Sequence, residues 1–186
     1  MEKWTLPVIA NIGGKEYSIN SDYRDILEII SYLNNESDQQ IACMIALNLF
    51  YENFNEMPVE HYQEALDYLF EFINAVYPEG KGSRRKLIDW EQDYPMIIAE
   101  VNKVAGCEIR SLPYMHWFTF IGYFNAIGDG QLATIVSIRD KKSKGKKLEK
   151  WEQEFYSEHH SIIDFKIKYT PEEQAEIARL KALLGE

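Results

Sequence analysis

The acidic side chains that could most readily take part in catalysis lie in one segment, where Asp89, Glu91 and Asp93 occupy alternate positions. Paired carboxylates can serve as a general acid and a general base when they face each other. On a helix, this spacing puts Asp89 and Asp93 on one side and turns Glu91 away. Carboxylates in the first turn of a helix are also favoured by the helix dipole, which is the simpler interpretation. An enzyme that uses Asp89 and Asp93 is therefore retained only as an alternative.

The histidines are weak candidates for metal ligands or for a catalytic base. His159 and His160 are adjacent and diverge on a helix, whereas metal-binding pairs usually stand four residues apart. His116 lies between two large apolar residues and is interpreted as a hydrogen-bonded packing residue. The sequence also lacks a Gly-x-Ser-x-Gly nucleophile motif. These patterns predict no catalytic residue, no metal and no cofactor, and they favour binding or assembly over catalysis.

The acidic segment begins a stretch that predicts two helices at the centre of the core. Trp90 starts an apolar face with helical spacing, and Gly106 is the expected C-terminal residue of that first helix. Ser111 is expected to cap the second helix, with Pro113 in its first turn. Because Trp90 and Trp117 lie on the apolar faces of neighbouring helices, both are expected to be largely buried and close together.

The remaining pattern predicts a mainly α fold with a short N-terminal β-hairpin. Gly13 and Gly14 separate two short alternating runs, which is typical of a hairpin turn. A helix beginning near Asp38 is apolar over most of its circumference and is expected to be central. Residues 1–186 are interpreted as one domain, with a hairpin and helices over 1–77, a linker over 78–86, a helical half over 87–160 and a helical tail over 161–186.

The 186 residues have a formal net charge of −10, which is unevenly distributed. Residues 1–80 sum to −11, residues 81–150 to +5 and residues 151–186 to −4. An acidic chain disfavours nucleic acid as a partner, and no apolar run reaches the roughly 20 residues that cross a bilayer. The asymmetry indicates contacts between acidic and basic faces, within one subunit or between subunits, with a solvated surface as the alternative. Cys43 and Cys107 are expected to be buried, reduced thiols.

Four segments together resemble a known family. Residues 17–24 contain an Ile-Asn-x-Asp-aromatic-Arg entry to a helix, and residues 88–97 contain Asp-Trp-Glu-x-Asp. Residues 112–118 are similar to a Leu-His-Trp-Trp run, with Phe118 in place of the second Trp, and residues 135–139 are similar to Ile-x-x-Tyr-Arg, with Ile138 in place of Tyr. The family consists of small siphophage proteins that resemble tail assembly chaperones and are encoded just upstream of the tape-measure protein. Its motif residues in this chain are Asp22, Tyr23, Arg24, Asp89, Trp90, Glu91, Asp93, His116 and Trp117.

The resemblance spans residues 6–160 and implies a non-enzymatic assembly factor. Such a protein acts in the host cytoplasm with the tape-measure protein and other tail assembly proteins, associates with itself, and leaves before the virion matures. A structural component of the phage tail is the alternative. For self-association, we expect the edge of the hairpin from Leu6 to Ile12 to add a strand or to dock on another subunit.

A stripe of carboxylates is the candidate surface for a basic helical client. Its members are spaced four, three and four residues apart, so they share one side of a helix opposite an apolar face. A solvated helix back is the alternative interpretation. This acidic stripe consists of Glu60, Glu64, Asp67 and Glu71.

Overall fold

A computed structural model describes residues 5–74, 86–166 and 171–184 of the chain. Within these ranges the fold is mainly helical with an N-terminal hairpin, which confirms the predicted fold class. The hairpin consists of β1 (Ile9–Ile12) and β2 (Lys15–Ser18). The helices are α1 (Tyr23–Asn35), α2 (Gln39–Phe50), α3 (Tyr62–Asn74), α4 (Tyr94–Ala105), α5 (Trp117–Asn125), α6 (Gln131–Ser143), α7 (Lys150–Ile163) and α8 (Pro171–Leu184).

The hairpin turn requires glycine at both of its central positions. Gly13 and Gly14 have φ angles of 57° and 76°, which suit the primed turn that two-residue hairpins favour. A side chain at Gly13 would also collide with the ring of His61, because an added Cβ would lie 2.1 Å from that ring. The buried side chains of Ala10 and Tyr17 face the helices, so the hairpin is part of the core.

Two carbonyl groups along the β1 side of the hairpin already accept hydrogen bonds. The Pro7 carbonyl bonds the Nε2 of His116 at 3.0 Å, and the Ile9 carbonyl accepts from the Tyr68 hydroxyl at 3.4 Å. An added strand would have to compete with these two bonds. The exposed side chains of Leu6, Val8 and Ile9 are thus a better basis for docking than the backbone of this edge.

Large aromatic residues fill the centre of the fold. One cluster of buried residues extends from the hairpin to Leu132 of α6, and a smaller one joins Ile135 and Ile138 of α6 to Ile163 of α7. Burial of aromatic surface of roughly 150–250 Å² per side chain makes such residues the main source of hydrophobic stabilisation. The largest fully buried side chains are Trp117, Tyr23, Tyr51, Phe50 and Phe120.

The two central helices begin later than the sequence predicts. α4 begins at Tyr94 instead of including Trp90, because Pro95 cannot supply the N–H that an upstream turn would need. α5 begins at Trp117 with His116 as its N-cap, so the prediction that Ser111 caps it is wrong. Residues 112–115 are instead free to pair with the start of α1. The predicted C-terminal residue Gly106 is confirmed, with a φ of 71°.

Several other details differ from the predictions. α2 is not central: it packs on α1 and α3, and its Ile41 and Met44 are exposed. Cys43 is half-buried and Cys107 is exposed, so the expectation of two buried thiols is wrong. Of the predicted linker over 78–86, all but Lys86 lies outside the described residues.

Candidate functional site

Asp22 connects the first motif segment to the third. It caps α1 by accepting the backbone N–H of Arg24, and its other oxygen accepts the backbone N–H of Met115 at 2.9 Å. The Arg24 guanidinium also pairs with this carboxylate at 2.7 Å. Burial raises the pKa of Asp22, but the hydrogen bonds from Arg24 and Met115 outweigh this effect, and the net shift is downward. Asp22 is therefore ionised, and it joins the start of α1 to Met115, 93 positions along the chain.

The aromatic neighbours of Asp22 continue the same junction. The Tyr23 ring stacks on Phe120 with 4.6 Å between centroids, and Trp117 is fully buried beside it. Backbone bonds join the two segments on either side, from Tyr23 to Met115 and from Trp117 to Ser21. The motif residues at the start of α1 and of α5 thus form one packed unit.

His116 uses both ring nitrogens to hold the chain in place. Its Nδ1 accepts the backbone N–H of Phe118, and its Nε2 bonds the Pro7 carbonyl. Because a carbonyl only accepts, Nε2 must bear the proton and the ring is neutral. Burial lowers the pKa of His116, although the bond to Pro7 raises it in part. The interpretation of His116 as a hydrogen-bonded packing residue agrees with these contacts.

We expect the free energy of unfolding to fall as the pH drops below about 6.5, the ordinary pKa of histidine. The folded state keeps His116 neutral, so the unfolded state binds more protons in this window and stability declines with falling pH. His116→Asn keeps a capping oxygen but cannot titrate. Urea unfolding of both proteins between pH 5 and 7.5 should show a shallower pH dependence for the variant. If the free energy of unfolding depends equally on pH in both proteins, His116 is not held neutral in the folded state.

The two tryptophans of the motifs meet edge to face. The rings of Trp90 and Trp117 lie 6.2 Å apart at an interplanar angle of 63°. Trp117 is fully buried, whereas Trp90 lies in the turn before α4 and is only half-buried. The predicted proximity is confirmed. Trp117 is fully buried as predicted, and Trp90 is partly buried against the same core. This contact joins the second motif segment to the third.

Asp89 stabilises the turn that precedes α4. Its Oδ1 accepts the backbone N–H groups of Glu91 and Gln92, and Lys86 bonds its Oδ2 at 2.6 Å. Burial raises the pKa of Asp89, but these hydrogen bonds outweigh it and lower the pKa to about 2. A carboxylate that stays ionised at neutral pH is unsuited to act as a general acid. The exposed Glu91 turns away and bonds Ser31 and Asn35 of α1.

Asp93 forms a buried ion pair with Arg139, a residue that the sequence analysis did not single out. Two guanidinium nitrogens of Arg139 bond the two carboxylate oxygens at 2.6 and 2.9 Å, and both side chains are almost inaccessible to water. The backbone N–H of Asp89 donates to the same carboxylate. Asp93 therefore does more than favour the first turn of a helix: it fixes α4 to α6.

Arg139 has all five of its N–H donors engaged. In addition to Asp93, it donates to the carbonyls of Leu87, Ile162 and Ile163, and its guanidinium lies 4.2 Å from the centre of the Phe165 ring. It thus joins the turn before α4, α6 and the end of α7. The available sequence signal was a single arginine next to the buried Ile138, within the fourth motif.

The motif residues meet in one internal framework, whereas the acidic stripe lies outside it. Glu60 precedes α3 in a short 3₁₀ turn, and all four carboxylates are exposed opposite the buried Ala65 and Leu69. Glu64 accepts the backbone N–H of Gly13 at 3.1 Å, so it also supports the hairpin turn. Asp67 accepts from Gln63 on its own helix.

The described ranges contain neither a metal-binding cluster nor a membrane-spanning helix. There, no group of three or more His, Cys, Asp or Glu side chains is arranged to hold a metal ion. In the same part of the chain, no helix combines the length and apolar composition needed to span a membrane.

The framework corresponds to the region matched by a known family. The model of the family described as Bacteriophage Gp15 protein matches residues 4–164, which include all four motif segments and end before α8. No curated protein and no solved structure matches the chain. The chain therefore belongs to the bacteriophage Gp15 protein family.

Proposed function

We propose that this phage protein is a non-enzymatic tail assembly chaperone, or tail-morphogenesis factor, which acts with the tape-measure protein. It works in the host cytoplasm, associates with itself and with other tail assembly proteins, and is absent from the mature virion. Membership of a bacteriophage family and the motif resemblance support this proposal.

The observation that carries the proposal is how the motif side chains are used. The polar side-chain atoms of the motif residues form hydrogen bonds with the backbone or with a cationic side chain of the same chain. This holds for Asp22, Asp89, Asp93 and His116. Their arrangement builds an internally bonded scaffold, which favours an assembly role over the alternative enzyme that uses Asp89 and Asp93. A partner would therefore bind the exposed surface of the scaffold and not the motif side chains inside it.

The acidic stripe is the surface that we assign to the client. Exposed carboxylates attract a basic helical segment over a long range, which raises the association rate and makes binding sensitive to salt. Within the stripe, Glu60 and Glu71 have no hydrogen bond or ion pair among the described residues, so their charges are available. Glu64 is less suitable for testing, because its loss would also disturb the hairpin turn.

Co-expression with the tape-measure protein of the same phage tests this assignment. The variant Glu60→Lys/Glu71→Lys should fold normally by circular dichroism, recover several-fold less client and show a weaker dependence on salt. The variant Glu154→Lys/Glu158→Lys makes the same change in net charge on exposed residues of α7 and should recover as much client as the wild type. If both variants recover equal amounts of the client, the acidic stripe is not the client-binding surface.

The alternative, a structural component of the tail, is distinguished by the composition of the particle. A chaperone should be absent from purified mature virions and present in lysates during assembly. Mass spectrometry of purified particles that finds this chain at a fixed stoichiometry would establish the structural role instead.

A further inference from the structure

A groove of about 570 Å³ opens beside the hairpin and the start of α1. Val8, Ile9 and Tyr114 line it, and each has about half of its side chain exposed. The volume lies within the range typical of binding clefts, and exposed apolar residues that adjoin one another mark interaction sites. We refer to this feature as the hairpin groove.

The carboxylates that line the hairpin groove differ in whether they have a hydrogen-bond or ion-pair partner. Asp22 is paired with Arg24, but Asp25 and Glu52 have no hydrogen bond or ion pair to their carboxylates among the described residues. Burial and the nearby charges of Asp22 and Glu28 raise the pKa of Asp25, so a cation at this position would be favourable. The groove therefore combines an apolar lining with uncompensated negative charge.

The same chain displays a surface of the opposite character. Between α6 and α7, the segment from Lys146 to Glu149 has no helical structure, and Lys146, Lys147 and the following Lys150 are exposed. These three lysines form no ion pair in the described part of the chain, unlike Lys141, Lys142 and Lys144, which each have a carboxylate partner. We refer to residues 146–150 as the lysine loop.

The neighbours of the lysine loop leave its positive charge largely uncompensated. Glu149 uses its side chain to cap the backbone at the start of α7, and Glu152 is occupied by Lys141. No described ion pair joins the loop to the hairpin groove within one chain. Two exposed surfaces of opposite charge are thus available on every copy.

We propose that the hairpin groove of one copy binds the lysine loop of a second copy. The contact joins two different surfaces, so it repeats head to tail and forms a ring or an open chain of subunits. The apolar lining accepts the aliphatic stems of the lysines, while Asp25 and Glu52 pair with their ammonium groups. This inference rests on the proposed function for its purpose, since a repeating assembly offers many acidic stripes to one long client.

A charge-swap experiment with the full chain tests the contact. One variant reverses the groove with Asp25→Lys/Glu52→Lys, and the other reverses the loop with Lys146→Glu/Lys147→Glu. In sedimentation velocity at low salt, the wild type should associate in a concentration-dependent manner, and each variant alone should associate at least about tenfold more weakly. An equimolar mixture should regain association, because each variant then meets a complementary surface on the other.

Matched variants separate this contact from general charge effects and from loss of folding. Glu60→Lys/Glu71→Lys should leave self-association at the wild-type level, and Glu52→Lys alone provides a milder groove variant if Asp25→Lys disturbs α1. A wild type that stays monomeric at low salt would overturn the proposal, as would a mixture of folded variants that fails to regain association. Client recovery is measured separately, so a mixture that fails to regain association while the client is still recovered would leave the chaperone role standing. A monomeric wild type would also remove self-association from the proposed function.

Discussion

Replacing Arg139 with methionine is expected to destabilise the fold by about 3–5 kcal/mol, because it leaves the carboxylate of Asp93 buried and without its cation. The loss also removes donors from the carbonyls of Leu87, Ile162 and Ile163, which add to the penalty. Urea unfolding monitored by circular dichroism measures the effect. Arg110→Met, which breaks the exposed pair with Glu108, should change stability little.

A double-mutant cycle distinguishes the ion pair from simple loss of packing. Asp93→Leu combined with Arg139→Met should cost less than the sum of the two single changes, because neither charge then remains buried alone. The double variant should still be less stable than the wild type, since the three carbonyls stay without their donor. Additive single effects would show that Asp93 and Arg139 act independently and would contradict the central role given to their contact.

Features that depend on neighbouring residues were predictable from the sequence. The positive φ angles at Gly13, Gly14 and Gly106 follow from local turn and capping rules. The shared side of Glu64, Asp67 and Glu71 was predictable for the same reason, because spacing along a single helix determines which residues share its surface, whereas Glu60 lies in the 3₁₀ turn before α3. The hairpin and most helices are likewise determined by short-range patterns of apolar and polar residues.

Features that depend on distant residues were not predictable in the same way. Asp93 meets Arg139 across 46 positions, and nothing in either local pattern indicates which partner a carboxylate will choose. The N-cap role of His116 depends on the extended segment before it, which pairs with the start of α1. Apolar periodicity also failed for α2, whose circumference is apolar although only one side is covered by α1 and α3.

The physical role of the motif residues depends on contacts between segments that are far apart in the chain. Taken singly, Trp90 suggests a core residue, and neither Asp22 nor Arg139 indicates the distant segment that it joins. In the structure, they hold together the starts of α1 and α4 and the end of α7. A family that keeps these residues would keep a scaffold, whereas the acidic stripe lies outside the motifs.

Trp117→Ala is the second change expected to have a large effect, with a loss of about 3–5 kcal/mol in the free energy of unfolding. Trp117 is fully buried, packs on Trp90 and Phe120, and donates its indole N–H to the Ile73 carbonyl at 3.3 Å. For a chain of this length, such a loss corresponds to a decrease in melting temperature of roughly 6–20 °C. Differential scanning calorimetry measures that decrease directly.

Two further variants show whether burial causes the effect. Trp117→Phe retains much of the apolar volume but loses the bond to Ile73, so its melting temperature should lie between those of the wild type and Trp117→Ala. Trp90→Ala removes a ring of equal size that is only half-buried, and it should cost less than Trp117→Ala because less surface is returned to water. A Trp117→Ala protein that melts within one or two degrees of the wild type would refute the role of this side chain at the centre of the fold.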